Sequence, residues 1–186
     1  MRRVLLIRHG ATAGNLEKRY IGRTDEPLCE QGIFQIRQLK ALGLLADRVF
    51  VSPAQRTRQT AGLLFPQIPP VILEDLRETD FGAFEGKNAS EMENDPDYRA
   101  WVEAGCQTPP PGGECIEDFK ARCCRTFCAA MAQTQKGEKA AFVLHGGSIM
   151  AILEAFARPR RDFYAYHLEN GGFFACRYRQ GILRIL

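Results

Sequence analysis

The chain has 186 residues, enough for one domain with a substantial core, and its 45% apolar and 25% charged content is ordinary for a globular protein. Its 25 basic and 22 acidic residues leave a formal charge of +3, too mild to argue for nucleic acid or a membrane surface as partner. No apolar stretch is long enough to span a bilayer, and the one after Met1-Arg2-Arg3 is too short for a signal peptide, so a cytoplasmic location is expected.

Val4-Leu5-Leu6-Ile7 reads as a buried strand that delivers Arg8-His9-Gly10 at its carboxyl end, where ligands sit in open α/β sheets. Residues 10–28 form a long loop of small residues and turn formers, of the kind that is functional or disordered. A helix follows Gln31-Gly32, with Ile33, Ile36, Leu39 and Leu42 on one face. Residues 48–52 form a second strand, stopped by Ser52-Pro53, and residues 54–64 a helix that carries Arg56 and Arg58. Arg58 reads as a surface or salt-bridging residue.

Val71-Ile72-Leu73 predicts a third strand. Residues 88–113 are acidic and aromatic and end in Pro109-Pro110-Pro111-Gly112-Gly113; they read as a short helix with a stiff, exposed return, and their length suits a lid. A long helix then shows Ile116, Phe119, Cys123, Phe127 and Met131 at helical spacing, which is core packing. Residues 140–144 form another buried strand, which delivers His145-Gly146-Gly147 to a helix from about 149 to 156. The chain closes with a hairpin at a sheet edge, turning at Gln180-Gly181. Strands alternating with helices predict an α/β fold of one domain over residues 1–186. The seven cysteines, an odd number without regular pairing, read as free thiols. Cys124 and Cys128 stand at i, i+4, a spacing that can hold a metal, but no C-x-x-C pair or nearby histidine supports one, and they read as small buried hydrophobes. His167 lies in no motif and reads as structural.

Two strands of one pattern end in histidine followed by glycine, and a third ends close to Arg56. If these strands are parallel neighbours, two imidazoles, two guanidinium groups and the start of a helix meet at one rim. Guanidinium forks and helix N-termini both favour phosphate oxygens, so the composite is a site for a phosphoryl group.

On these residues the sequence resembles the histidine phosphatase, or phosphoglycerate-mutase-like, superfamily. The resemblance rests on Arg8-His9-Gly10-Ala11-Thr12 with Asn15, Gly22, Asp25, Pro27-Leu28 and Gly32; on residues 52–61; on Glu78 with Phe81-Gly82 and Glu85-Gly86; and on His145-Gly146-Gly147. It departs from the family pattern at Ala11, Ala54 and Phe84, where glutamate, leucine and tryptophan are common. It implies a three-layer α/β/α fold with a mostly parallel central sheet and an antiparallel strand at one edge.

The resemblance also implies roles. His9 is the nucleophile that forms a phosphohistidine, and the nearby arginines help to keep it neutral. Arg8, Arg56, His145 and the Gly146 backbone hold the phosphate oxygens, and Asn15 adds a hydrogen bond. Glu78 protonates the leaving oxygen and later activates water. Neither a metal nor another cofactor is implied. Chain length and the stretches around Gly14-Asn15, residues 19–25 and Pro111-Gly112-Gly113-Glu114 resemble the α-ribazole phosphatase branch, which removes the 5′-phosphate of α-ribazole phosphate in cobalamin nucleotide-loop assembly. Tyr20, Gly22, Tyr98 and Trp101 are then the candidates for substrate specificity. A broad-specificity phosphatase of small phosphorylated metabolites and a phosphoglycerate mutase stand as the alternatives.

Overall fold

The computed structural model describes all of residues 1–186. In chain order the elements are β1 (Arg2–Arg8), the single turn α1 (Ala13–Leu16), α2 (Glu30–Lys40), β2 (Arg48–Val51), α3 (Gln55–Leu64), β3 (Val71–Ile72), α4 (Pro96–Glu103), α5 (Ile116–Ala132), β4 (Lys139–Leu144), α6 (Gly146–Phe156), β5 (Phe173–Arg179) and β6 (Ile182–Ile185). The six strands form one sheet in the order β3-β2-β4-β1-β5-β6. Strands β3, β2, β4 and β1 are mutually parallel, while β5 runs antiparallel to both β1 and β6. The antiparallel strand therefore lies one place in from the edge, which β6 occupies.

The apolar strands are buried on both faces, and alternation along each decides which helix pair it meets. Val4 and Leu6 of β1, Phe50 of β2 and Phe142 and Leu144 of β4 face Phe119, Cys123 and Phe127 of α5 and Ile149, Ile152 and Leu153 of α6. Ile7, Val49, Val51, Ala141 and Val143 face Ile36 and Leu39 of α2 and Ala61 and Leu64 of α3. The layers are α/β/α, as the family resemblance implies. Parallel register then sets the site. Arg8 lies opposite Leu144 and Val51 opposite Val143, so the residues that follow, His9, His145 and Ser52, emerge side by side at one end of the sheet.

Several local expectations need correction. The helix after Gln31 ends at Lys40, closed by Gly43 at φ +66°, so Leu42 falls outside it and is exposed. The third strand is only the exposed pair Val71–Ile72, an edge segment that follows Pro69-Pro70. The last helix begins at Gly146 rather than near 149, because His145 already serves as its N-cap residue. Cys128 is exposed and Cys124 half-buried on α5, away from the apolar stripe, so neither is a core hydrophobe.

The proline-rich return of residues 109–113 is not free in solvent. Ala83 N–H donates to the Pro111 carbonyl at 2.9 Å, Glu114 N–H to that of Asp80 at 2.9 Å, and Pro110 is buried. The segment before it folds around a small cluster of its own. Phe84, Met92, Tyr98 and Trp101 are buried together, with Tyr20 and Phe81 packed on them.

Candidate active site

His9 is buried, 3% exposed, just past the end of β1. Its Nδ1 lies 2.8 Å from the Gly10 carbonyl oxygen and must be the donor there, so the lone pair is on Nε2. Burial first, then the cations of Arg56 and Arg8, lower its pKa to about 3. The imidazole is therefore neutral, with a free Nε2, across the physiological range.

His145 sits beside it, with ring centroids 5.2 Å apart in an edge-to-face arrangement. Ser52 Oγ accepts the Ala54 N–H at 3.2 Å and lies 2.7 Å from His145 Nε2. Only Nε2 can accept the buried hydroxyl proton, which places the ring proton of His145 on Nδ1. That Nδ1 is buried and has no protein partner. Burial, followed by Arg56, His9 and Arg8, drives the His145 pKa well down as well.

Two further donors share this condition: Arg8 Nε and Arg56 Nε are buried and unpartnered. Each guanidinium is also anchored to backbone, Arg8 through Nη1 and Arg56 through both Nη atoms. Arg8 Nη1 donates to the Leu168 carbonyl, while Arg56 donates to Thr24 O at 2.7 Å and Gly22 O at 3.2 Å. Arg56 thereby fixes the long loop that was functional or disordered on the sequence alone. Arg58, by contrast, is exposed. Three buried N–H donors on the residues that surround His9 form an anion-seeking cradle, since an unpaired buried donor is costly.

Glu78 faces the same space. Its Oε1 accepts the Thr79 N–H at 3.0 Å and its Oε2 the Gly147 N–H at 3.1 Å, in the first turn of α6. Burial raises its pKa, against the pull of these hydrogen bonds and of Arg56 and Arg8. A Cβ on Gly147 would collide with Glu78 Oε1 and stand 3.0 Å from the Phe119 ring, so a larger residue would push the carboxylate from this position. The α6 N-terminus is thus shared: Gly147 holds the carboxylate, while Gly146 lines the pocket next to Arg8, whose Cζ would stand 3.5 Å from a Cβ there.

The remaining expected residues divide. Asn15 caps the α1 turn: its Oδ1 accepts from Thr12 N at 3.2 Å and from Asn170 Nδ2 at 3.0 Å, so only its amide N–H groups are free to donate. Tyr20 and Trp101 line a cavity of about 300 Å³ that opens over Arg8, Glu78 and Gly146, with Phe81, Ile116, Phe163 and Tyr164 completing its apolar walls. Tyr98 does not line it; it stands behind, its hydroxyl 3.0 Å from that of Tyr20. Gly22 offers no ligand surface. It is a close-packing point whose Cβ would strike the Thr79 carbonyl.

Two residues at the site escaped the sequence reading. His167, read there as structural, is exposed at the cavity rim and lies 3.3 Å from Glu169. Asn170 donates to the His9 carbonyl at 3.2 Å as well as to Asn15. Both lie just before β5, whose antiparallel register sets Phe173 opposite Ile7 and so returns residues 167–172 to the carboxyl end of β1. The available signal was the terminal hairpin with its Asn170-Gly171-Gly172 turn, but only pairing with β1 gives it meaning.

Comparison with known proteins agrees with this geometry. An adenosylcobalamin/alpha-ribazole phosphatase of Escherichia coli (strain K12) is 30% identical over 193 aligned positions, covering 99% of this chain and 95% of that protein. A 2,3-bisphosphoglycerate-dependent phosphoglycerate mutase of Methylobacterium sp. (strain 4-46) is 31% identical over 165 positions, covering 82% of this chain and 79% of its own. The crystal structure of the alpha-ribazole phosphatase from Shigella flexneri superposes with a TM-score of 0.87 at 27% identity, over 99% of this chain and 94% of that one. The model of the histidine phosphatase superfamily (branch 1) matches residues 4–186, and the chain belongs to that superfamily.

Proposed function

We propose that the protein hydrolyses phosphomonoesters through a phosphohistidine formed on His9. The observation that carries this reading is the neutral, tautomer-fixed His9 set among three unpartnered buried donors, Arg8 Nε, Arg56 Nε and His145 Nδ1. A phosphoryl group bound by these donors presents phosphorus to His9 Nε2 for in-line attack. The P–O bond to the leaving group breaks as the N–P bond forms, and the equatorial oxygens keep their charge against the two guanidinium groups. Glu78 gives its proton to the departing oxygen. It then takes one from the water that attacks the phosphohistidine, releasing inorganic phosphate and restoring His9. The dianion itself helps Glu78 to retain its proton until transfer, because a neighbouring negative charge raises a carboxyl pKa. The guanidinium groups supply the positive charge that this transfer needs, so turnover is expected to persist in chelator.

For the substrate we take α-ribazole 5′-phosphate as the first reading. Arg8 is the only arginine or lysine among the residues that line the cavity, and Tyr20, Phe81, Trp101, Phe163 and Tyr164 give it five aromatic faces. Such walls suit a leaving group that is flat and apolar beyond its sugar. They offer little to the added carboxylate or second phosphate of a phosphoglycerate. Full-length alignment with a relative named for α-ribazole favours the same choice. We place residues 88–113 as the lid on this space, through Trp101 and Thr108.

Phosphate release from α-ribazole phosphate, phosphoglycerates, sugar phosphates and p-nitrophenyl phosphate tests the reading, with His9→Ala as control. The expected outcome is strong preference for α-ribazole phosphate, no turnover by His9→Ala, and loss of the preference in Trp101→Ala with p-nitrophenyl phosphate activity retained. Equal rates on all the esters would make the enzyme a generalist. Interconversion of phosphoglycerates without phosphate release would make it a mutase.

A further inference from the structure

Glu78 reaches the pocket from irregular backbone: Thr79 and Gly147 N–H groups meet its carboxylate, but neither strand nor helix holds its main chain. Residues 74–76 form one tight turn and the chain then runs extended into Glu78. Side chains of α5 and α6 take all four carbonyls from Asp75 to Glu78. Ser148 Oγ lies 3.4 Å from Leu76 O, and Arg122 takes the other three.

Arg122 lies on α5 beside the apolar stripe, with its side chain 7% exposed. All five of its N–H groups are used. Nη1 donates to Asp75 O at 2.7 Å and Arg77 O at 2.8 Å, and Nη2 donates to Glu78 O at 3.0 Å. Nε and Nη2 form a fork on the Glu114 carboxylate at 2.6 and 2.7 Å. Glu114 is in turn tied to the same segment, its N–H donating to Asp80 O at 2.9 Å. A buried guanidinium is tolerable only when paired and fully hydrogen-bonded, and this one is both. Lysine has neither the fork nor the five donors.

We propose that Arg122, with Glu114 as its counter-ion, is the positioning residue for the general acid: it holds the backbone of residues 75–78 so that the Glu78 carboxyl stays at the leaving oxygen. The inference rests on the role given to Glu78 above. Arg122 itself touches neither substrate nor phosphate and acts only through the chain it grips. Misplacing a catalytic group by an ångström costs far more rate than stability.

A leaving-group comparison separates positioning from a plain structural role. The ratio kcat/KM covers only the steps through the first transfer to His9, so it reports protonation of the leaving oxygen and not the later hydrolysis. Nitrophenolate leaves p-nitrophenyl phosphate without help, whereas the alkoxide of glycerol 3-phosphate needs a proton. Arg122→Lys is expected to lose at least about tenfold in kcat/KM on glycerol 3-phosphate and less than about threefold on p-nitrophenyl phosphate. Competitive inhibition by inorganic phosphate should stay within about threefold of wild type, because Arg8, Arg56 and His145 are undisturbed. Glu114→Gln, which keeps the guanidinium but weakens its fork, is expected to show the same selectivity, and it decides the matter if Arg122→Lys does not fold. Equal losses on both esters, or no loss on either, would overturn the proposal. Glu78→Gln is the reference. If it too lacks selectivity, the general-acid role of Glu78 falls; if it is selective and the folded Arg122 and Glu114 variants are not, only the positioning role falls.

Discussion

At the scale of single residues, the site is governed by where protons are held. Gly10 O fixes the proton of His9 on Nδ1, and Ser52 fixes that of His145 on the nitrogen facing the oxyanion cradle. Burial keeps both rings neutral while it lifts the carboxyl of Glu78, which in the proposed mechanism sets the nucleophile apart from the acid. Under the proposed role, Glu78 must carry its proton to act, and the alkaline limb of the kcat/KM profile on an alkyl phosphate is expected to belong to it. That limb lies above the ordinary carboxylate range. Glu78→Gln should abolish it and lower kcat/KM by about 10²–10⁴-fold, the usual worth of general acid catalysis. Measurement of the profile for both proteins checks this, and an unchanged alkaline limb in Glu78→Gln would assign it elsewhere.

At the scale of elements, strand ends and one helix start do the placing. The β1, β4 and β2 register brings His9, His145 and Ser52 together, and α6 begins at once so that Gly147 can receive Glu78. Gly147→Ala puts a methyl group into Glu78 Oε1 and 3.0 Å from the buried ring of Phe119. It is expected to cost on the order of a hundredfold in kcat on an alkyl ester and to lower the thermal unfolding midpoint modestly through the tight Phe119 contact. A normal rate would show that the carboxyl does not need this seat. Much of this level was legible in the sequence, because apolar runs that end in Arg8-His9-Gly10 and His145-Gly146-Gly147 report both a strand and its cargo. What was not legible arises from contacts between distant segments. The Arg122 fork on Glu114 and the Asn170 bridge to His9 O and Asn15 join residues whose local sequence contains no signal of the partner. The exposed return expected after residue 108 is docked for the same reason, since its carbonyl and N–H partners lie at Asp80 and Ala83.

At the scale of the whole molecule, the fold carries a function-related instability. No helix is long and apolar enough to cross a membrane, and the buried charge is concentrated at one end of the sheet. His9 has a folded pKa of about 3 against an ordinary 6.5, so the unfolded chain binds more protons between those values. The stability this contributes is present above about pH 6.5 and is lost as the pH falls through that window, at about 1.4 kcal/mol per pH unit for each proton taken up. His145 acts in the same direction, and Glu78 in the opposite one, losing its contribution as the pH rises through its elevated pKa. Denaturant titrations between pH 7 and pH 5 should therefore show a shallower decline for His9→Gln than for wild type, and equal slopes would mean that His9 is not held neutral. Inorganic phosphate, which binds only the assembled cradle, should raise the unfolding midpoint of the wild type. The most direct test is chemical: rapid quenching of wild-type enzyme during turnover of p-nitrophenyl phosphate, followed by peptide mapping under alkaline conditions that preserve phosphoramidate bonds. The expected result is an acid-labile phosphate on His9, absent from His9→Ala. Turnover with no phosphate on His9 at any quench time would contradict covalent transfer through that imidazole.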